Sequence, residues 1–376
     1  MSQSVINKNI IFVAFTKGHL MMLNELVKFF NKSDYNLFCF FSGYLYSYRE
    51  LIDNNLNSTN YFFDDYPILK NKFKSFKLRG IINDINKITE KIEPNAIITF
   101  SDNNIIYQDM YKKWNTKSKV ILFHEGYGDY SDISITKRQY IGFMLLKFII
   151  WPHLFRVITR SYTGLYSHSF LTLPELVHRN FPMQKYVIPS IFFRDVFQKK
   201  CNVQIEPKSV LVVFSGKNWL KKKWNEYFFR LLNSINELNR QIYLKIAPSQ
   251  NTNSYKQFIK PFNNISIIID DEVTSESYCL HDNIDIIITD ESSAVINSIF
   301  CEIKKEIYFL NKEIADLGIY HTDRNDLLNY LINKQIIFSS NIDNMVKLIN
   351  QPNKKSFTFQ VEESDIKKEL KSLIDG

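Results

Sequence analysis

The sequence predicts an α/β protein built from two doubly wound, mostly parallel sheets, each Rossmann-like. Three observations carry this. Apolar, β-branched runs of strand length alternate with segments of helical periodicity. The alternation lapses over an irregular stretch, Pro189 to Pro207, and then restarts. At 376 residues the chain exceeds what one hydrophobic core usually serves. The expected domains are residues 1–195 and 207–361. A charged amphipathic helix, 362–376, would either cross back to the first domain or cap the second.

In the first half, Asn9 to Phe15 reads as a strand and His19 to Phe30 as the helix after it. Tyr35 to Phe41 is the next strand. Leu78 to Ile92 has helical spacing, Asn95 to Phe100 is β-branched, and Asn103 to Trp114 reads as a helix. Lys119 to Phe123 is a strand that runs into His124-Glu125-Gly126-Tyr127-Gly128-Asp129. In the second half, the strand Ser209 to Phe214 leads into the turn Ser215-Gly216-Lys217-Asn218, and Trp224 to Asn239 is a helix. Strands follow at Gln241 to Ile246, Asn264 to Ile269, Ile284 to Thr289 and Glu306 to Leu310. Helical segments are expected at Ala294 to Phe300, Asp326 to Leu331 and Ile342 to Ile349. No repeat of fixed period and no low-complexity block interrupts the pattern.

Composition narrows the function. At 45% hydrophobic and 15% aromatic the chain can fill two cores. Lysine and arginine outnumber aspartate and glutamate 47 to 39, a net charge of +8. That excess is modest and scattered, and suits solubility, an anionic substrate or an anionic membrane surface. No nucleic-acid-binding module is recognisable, so nucleic acid is not an expected partner. The 10 glycines are few, while Asn, Ile and Lys abound, a pattern of codon bias in an AT-rich genome. Cys39, Cys201, Cys279 and Cys301 are far apart and form no CxxC pair, which argues against a disulfide framework or a zinc centre. Cys39 and Cys301 lie in apolar runs as small core residues. A reducing cytoplasm fits, and Met1 to Lys8 lacks the character of a signal peptide. The segment Tyr140 to Thr159 is nearly long enough to span a bilayer, but Lys147, Pro152, His153 and Arg156 interrupt it. A buried helix pair broken at Pro152 is the preferred reading, with peripheral contact at the inner membrane as the alternative.

In open α/β sheets, ligands bind beyond the carboxyl ends of the strands. With two such sheets facing each other, the site is expected in the cleft between them. The most informative strand end is Ile286-Ile287-Ile288-Thr289-Asp290-Glu291-Ser292-Ser293. Ser292 and Ser293 open a helix, where unpaired N–H groups and the helix dipole favour an anion such as a phosphate. Glu125 follows a buried strand and suits a general base that takes a proton from an acceptor hydroxyl. Gly126 permits close approach, Asp129 is the second choice of base, and His124 would orient either acid. The duller alternative is an ordinary turn with Glu125 as a solvated or capping acid. Ser215, Gly216 and Lys217 would lend N–H groups and a cation to a phosphate, or form a plain surface turn. Ala247, Pro248 and Ser249 end a strand; Ser249 would bond a phosphate or cap a helix. Asp270-Asp271-Glu272 reads as exposed loop, with a divalent metal as a minority reading, and no metal or other cofactor is expected. The loop Val273 to His281 is placed to border a base or ribose. Lys17 and His19, in Thr16-Lys17-Gly18-His19, would touch the acceptor; capping is the plainer role.

These residues resemble the bacterial GT-B sialyltransferases, including the polysialyltransferases. That family shares an acidic residue followed by glycine, a His-Pro pair and a Ser-Ser or Ser-Thr pair. Glu125-Gly126 looks like the first, Pro248 stands in the second, and Ser292-Ser293 looks like the third. Phe15 to Leu23 also resembles the opening strand-loop-helix of such enzymes. The resemblance implies a GT-B architecture and an inverting, metal-independent transfer of sialic acid from CMP-sialic acid to a hydroxyl of a surface glycan, in capsule or lipopolysaccharide. Glu125 would be the base, and Ser292 and Ser293 would hold the CMP phosphate. The sequence departs twice: His124 stands where an acid is usual, and Ala247 where the family has the histidine that assists phosphate departure. Ala247 is read either as a natural loss of that histidine, in a weak or different protein, or as an introduced change, which is the favoured explanation and would impair the present form. Ile288 to Ser293 also resembles the CDP-glycerol glycerophosphotransferases, and CMP-Kdo transferases are a third relative, so cytidine is common to all three readings. A non-catalytic glycan-binding protein of the same fold is the alternative from another class.

Overall fold

The computed structural model describes residues 7–65, 76–100, 105–123, 165–176, 184–214, 222–246, 252–270, 273–290, 292–310, 326–351, 358–360 and 364–376. The segment Tyr140 to Thr159, expected to form a buried helix pair, lies outside them. The chain divides into two compact units. Among the described residues, one unit holds those up to 192 together with 364–376, and the other holds 193–360.

The first unit is formed by β1 (Lys8–Ala14), α1 (Lys17–Val27), β2 (Tyr35–Ser42), α2 (Arg49–Asn55), β3 (Thr59–Phe63), α3 (Phe76–Ile92), β4 (Ala96–Thr99), α4 (Ile105–Trp114), β5 (Lys119–Phe123), β6 (His168–Leu171) and β7 (Gln184–Val187). A 3-10 turn, Gly43–Tyr48, joins β2 to α2. Helix α5 (Ser190–Phe197) leads into the second unit. There the order is β8 (Ser209–Val213), α6 (Lys222–Asn236), β9 (Ile242–Lys245), α7 (Thr252–Ile259), β10 (Ile265–Ile268), α8 (Ser275–Leu280), β11 (Ile284–Thr289), α9 (Ser293–Phe300), β12 (Glu306–Phe309), α10 (Asp326–Asn333), β13 (Phe338–Ser339) and α11 (Ile342–Ile349). The last helix, α12 (Ile366–Asp375), belongs to the first unit.

The first sheet runs β3-β2-β1-β4-β5-β6-β7 and the second β10-β9-β8-β11-β12-β13. Every ladder among the described residues is parallel. Both orders reverse direction beside their first strand, which is the doubly wound arrangement. Parallel strands need both faces covered, so their central members are apolar throughout: Ile10 to Ala14, Ile97 and Ile98, and Ile286 to Ile288 are buried. The helices supply the cover. Trp224, Phe228, Leu231, Leu232 and Ile235 of α6 form one apolar stripe against Val210, Val212, Leu244 and Ile286.

Three parts of the sequence reading change. The stretch Pro189 to Pro207, expected to be irregular, contains helix α5, whose Phe193 packs on Phe300 and whose Arg194 Nε donates to the carbonyl of Cys301 at 2.8 Å. The expected loop Val273 to His281 contains helix α8, whose Tyr278 and Cys279 are buried. Strand β3 and helix α2 had no strong pattern to betray them. β3 is an edge strand only partly covered, and Ile52 is the buried residue of α2. Cys39 and Cys301 are buried core thiols as expected, Cys279 joins them, and all four cysteines are free.

Candidate functional site

The order reverses between β8 and β11 in the second unit, so the ligand-binding crevice of that sheet belongs at their carboxyl ends. β11 ends at Thr289, and the buried Asp290 follows. Ser292 keeps an extended backbone (φ −70°, ψ 120°) and is the N-cap of α9. Its carbonyl accepts from the N–H groups of Val295 and Ile296 at 3.1 and 3.3 Å, which starts the helix. Its hydroxyl makes no capping bond. The amides of a helix's first turn and the positive end of its dipole together favour an anion. The two serines are not equivalent: Ser292 is 6% exposed, whereas Ser293 faces solvent. Asp290 is 0% exposed and its charge reaches two buried phenols. Burial first, and Asp290 as well, hold Tyr227 and Tyr255 above the usual tyrosine range, while Arg230 works against this at Tyr227.

The carboxyl ends of β9 and β10 are tied by a buried cation. Lys245, the last residue of β9, is 5% exposed. Its Nζ donates to the main-chain carbonyl of Asp270 at 2.5 Å and lies 5.6 Å from the centre of the Tyr278 ring. The Asp270 carboxylate accepts from the Tyr278 hydroxyl at 2.5 Å and from the Val273 N–H at 3.0 Å. Asp270 is therefore not the exposed loop acid expected from sequence, but a buried clasp. Asp271 and Glu272 lie outside the described residues. Nor does His281 border the crevice. It caps the end of α8 at the amino end of β11, where its Nδ1 accepts from the Asn283 N–H and its carbonyl accepts from Lys305. Burial first, then Lys305, lowers its pKa.

In the first unit the order reverses between β1 and β4. Thr16 caps α1, its hydroxyl accepting from the His19 N–H at 3.3 Å. His19 is 3% exposed. Its Nδ1 accepts from the Phe15 N–H at 3.2 Å, and its ring stacks on Phe100 just beyond β4. The histidine thus holds the two strand ends that flank the reversal. Lys17 lies over the Tyr48 ring at 5.7 Å. One buried acid here went unnoticed in the sequence. Asp65 accepts from the Ser42 hydroxyl at 2.6 Å and the Gly43 N–H at 2.7 Å, and so fixes the turn after β2. A Cβ at Gly43 would stand 3.0 Å from the Phe63 carbonyl oxygen, which is why that turn needs glycine. Tyr44 and Tyr46, in the same turn, are 47% and 43% exposed.

Glu125, Gly126 and Asp129, Ser215, Gly216 and Lys217, and Ala247, Pro248 and Ser249 lie outside the described residues. The described strands stop just before them, at Phe123, Val213 and Lys245. Among the described residues no group of three or more His, Cys, Asp or Glu side chains could hold a metal ion. No helix among them is long and apolar enough to cross a membrane.

A family profile described as alpha-2,8-polysialyltransferase (POLYST) matches residues 10–310. The chain belongs to the alpha-2,8-polysialyltransferase family. The match runs from β1 to β12 and so covers the switch points of both sheets. Solved structures agree at the level of fold. The UDP-GlcNAc 2-epimerase of Methanocaldococcus jannaschii, in complex with UDP-GlcNAc and UDP, aligns over 98% of this chain and 100% of its own, with a TM-score of 0.62 at 14% identity. Phytolacca americana UGT2, complexed with UDP-2fluoro-glucose and pterostilbene, aligns over 93% and 90% with a TM-score of 0.56 at 11% identity. The glycosyltransferase SnogD from Streptomyces nogalater aligns over 90% and 88% with a TM-score of 0.54 at 8% identity. No curated protein matches the chain. Family and fold together make this polysialyltransferase-family member a glycosyltransferase of the GT-B fold.

Proposed function

We propose that the protein transfers sialic acid from CMP-sialic acid to a hydroxyl of a bacterial surface glycan, in capsule or lipopolysaccharide, with inversion at the anomeric carbon and without a metal ion. Membership of the polysialyltransferase family over residues 10–310 is the observation that carries this reading. The acceptor oxygen attacks the anomeric carbon, and the bond from that carbon to the CMP phosphate oxygen breaks. Glu125 takes the hydroxyl proton. The phosphate leaves with the electron pair and stays with CMP, stabilised by the first-turn amides of α9 and by the hydroxyls of Ser292 and Ser293. Ser215, Gly216, Lys217, Pro248 and Ser249 complete the nucleotide contacts in this reading. Ala247 stands where the family's histidine assists departure of the phosphate. Lys17, Gly126 and Asp129 serve the acceptor, and His19 serves it through the packing that fixes the loop carrying Lys17. The reaction belongs on the cytoplasmic side, at the inner membrane surface if the positive charge is used for attachment.

A donor screen tests the reading. Release of CMP from CMP-sialic acid, dependent on a glycan acceptor, is the expected result. Release only from CDP-glycerol or CMP-Kdo, or from none of the three, overturns it.

A further inference from the structure

The first unit contains a cavity of about 560 Å³, lined by Lys119, His168 and Tyr186 from the sheet and by Asp365, Lys368, Glu369, Ser372, Leu373 and Gly376 along α12. Its volume is that of a small-molecule site. The register pairs Ile121 with His168 and Phe170 with Tyr186, so Lys119, His168 and Tyr186 share one face of the sheet. Lys119 and His168 begin their strands, so this end of the cavity is at the edge opposite to the carboxyl ends where the candidate reaction site lies.

The helix above the cavity is firmly held. Ile366, Leu370, Leu373 and Ile374 form its buried stripe. Ser364 Oγ donates to the Val187 carbonyl at 2.7 Å, and at the far end Lys8 Nζ and the Tyr35 hydroxyl donate to Asp375 Oδ1 at 3.2 and 2.9 Å. Beside that stripe runs a second one. Asp365, Glu369, Ser372 and Gly376 recur at helical spacing and turn a polar face to the space. The space opens to solvent and its lining includes Lys119, Asp365, Lys368, Glu369 and Ser372, side chains that suit a polar ligand. Glu369 Oε2 is buried and accepts no hydrogen bond among the described residues. Such an oxygen needs a donor.

We infer that this cavity is a second saccharide site, which takes one or two sugar units carrying a carboxylate, away from the reacting centre. Lys119 and Lys368 meet the carboxylate, and Asp365, Glu369 and Ser372 meet the hydroxyls. The assignment of the sugar as sialic acid rests on the proposed reaction; the site itself rests on the lining. Burial, and then Asp365, raises the Glu369 pKa, which suits a carboxyl that shares protons with sugar hydroxyls.

Amide hydrogen exchange of α12 in the full chain tests the site, with short α2,8-linked sialic acid oligomers as the probe and neutral glucose oligomers as the control. The acidic oligomer is expected to slow exchange at residues 366–376 by about tenfold, and the neutral one to leave it unchanged. Lys119→Glu and Ser372→Trp, on separate elements, should each abolish the protection without shifting the unfolding midpoint. Protection that survives both substitutions, protection by glucose oligomers, or none with either probe overturns the site. Turnover of CMP-sialic acid is read on the same samples. Its absence with α12 protection intact defeats only the reaction, and turnover without protection defeats only the site.

Discussion

Lys245 Nζ and the main-chain carbonyl of Asp270 are 2.5 Å apart, a bond made at the carboxyl ends of the paired strands β9 and β10. A buried ammonium is costly unless its donors are used. Here it has the carbonyl and the face of Tyr278, and the phenol of Tyr278 is in turn bonded to Asp270. Lys245→Met removes this charge-assisted donor, and losing a hydrogen bond to a buried charged group costs about 1–3 kcal/mol. Urea denaturation of the variant should show a lower midpoint with an unchanged slope. A midpoint equal to that of the natural chain, or above it, would mean the ammonium is no net support.

The proposed phosphate contact of Ser292 can be tested apart from any structural role. Its hydroxyl does not cap α9, so Ser292→Ala removes none of the roughly 1 kcal/mol that a working N-cap contributes. Thermal unfolding should therefore barely move. CMP affinity should fall by about tenfold, the value of one charge-assisted bond. Ser293→Ala, at the exposed position, should cost as much or less. A large loss of stability with CMP affinity intact would reverse this division of labour.

The alternating runs made the two-sheet fold legible, because strands buried on both faces must be apolar along their whole length. Ile284 to Thr289 is such a run. Elements escaped where burial is one-sided or the element is short, as with β3 at the sheet edge and α2. The serine pair was legible because a helix start has its own residue preferences. Its inequality was not, since which hydroxyl turns inward depends on the packing of α9. The clasp of Lys245, Asp270 and Tyr278 and the Asp65 turn were illegible for another reason. Their partners are distant in sequence, and no spacing marks a lysine that bonds a carbonyl 25 residues on. Asp270, sitting among acids, looked like surface.

Cys201 reports on the same clasp. Its thiol is pushed up to about 11, by burial first and then by the charge of Asp270, while Lys245 acts in the opposite sense. At pH 8 about one thiol in a thousand is ionised, so alkylation should be slow and should quicken with rising pH. Asp270→Asn removes the repulsion and should lower the thiol pKa, giving faster alkylation at a fixed pH. Cys39 and Cys279, buried and both pushed up to about 12, should react only as the chain unfolds. A rate at Cys201 that ignores Asp270→Asn would mean burial alone sets its reactivity.

The pair Glu125 and Ala247 offers the sharpest test of the chemistry. If the missing histidine limits the reaction, Ala247→His should raise CMP release from CMP-sialic acid by about a hundredfold or more, the range of general acid catalysis. The gain should appear in kcat more than in KM, because the histidine acts on the departing phosphate and not on the bound donor. Glu125→Gln made in that restored background keeps the shape and removes the base. Its rate should drop by a similar factor, and the drop should be smallest at low pH, where a carboxylate is already protonated. Equal rates for the double and single variants would exclude Glu125 as the base and turn attention to Asp129. Unchanged turnover on restoring the histidine would instead mean that the amides and hydroxyls at the start of α9 suffice to carry the leaving phosphate.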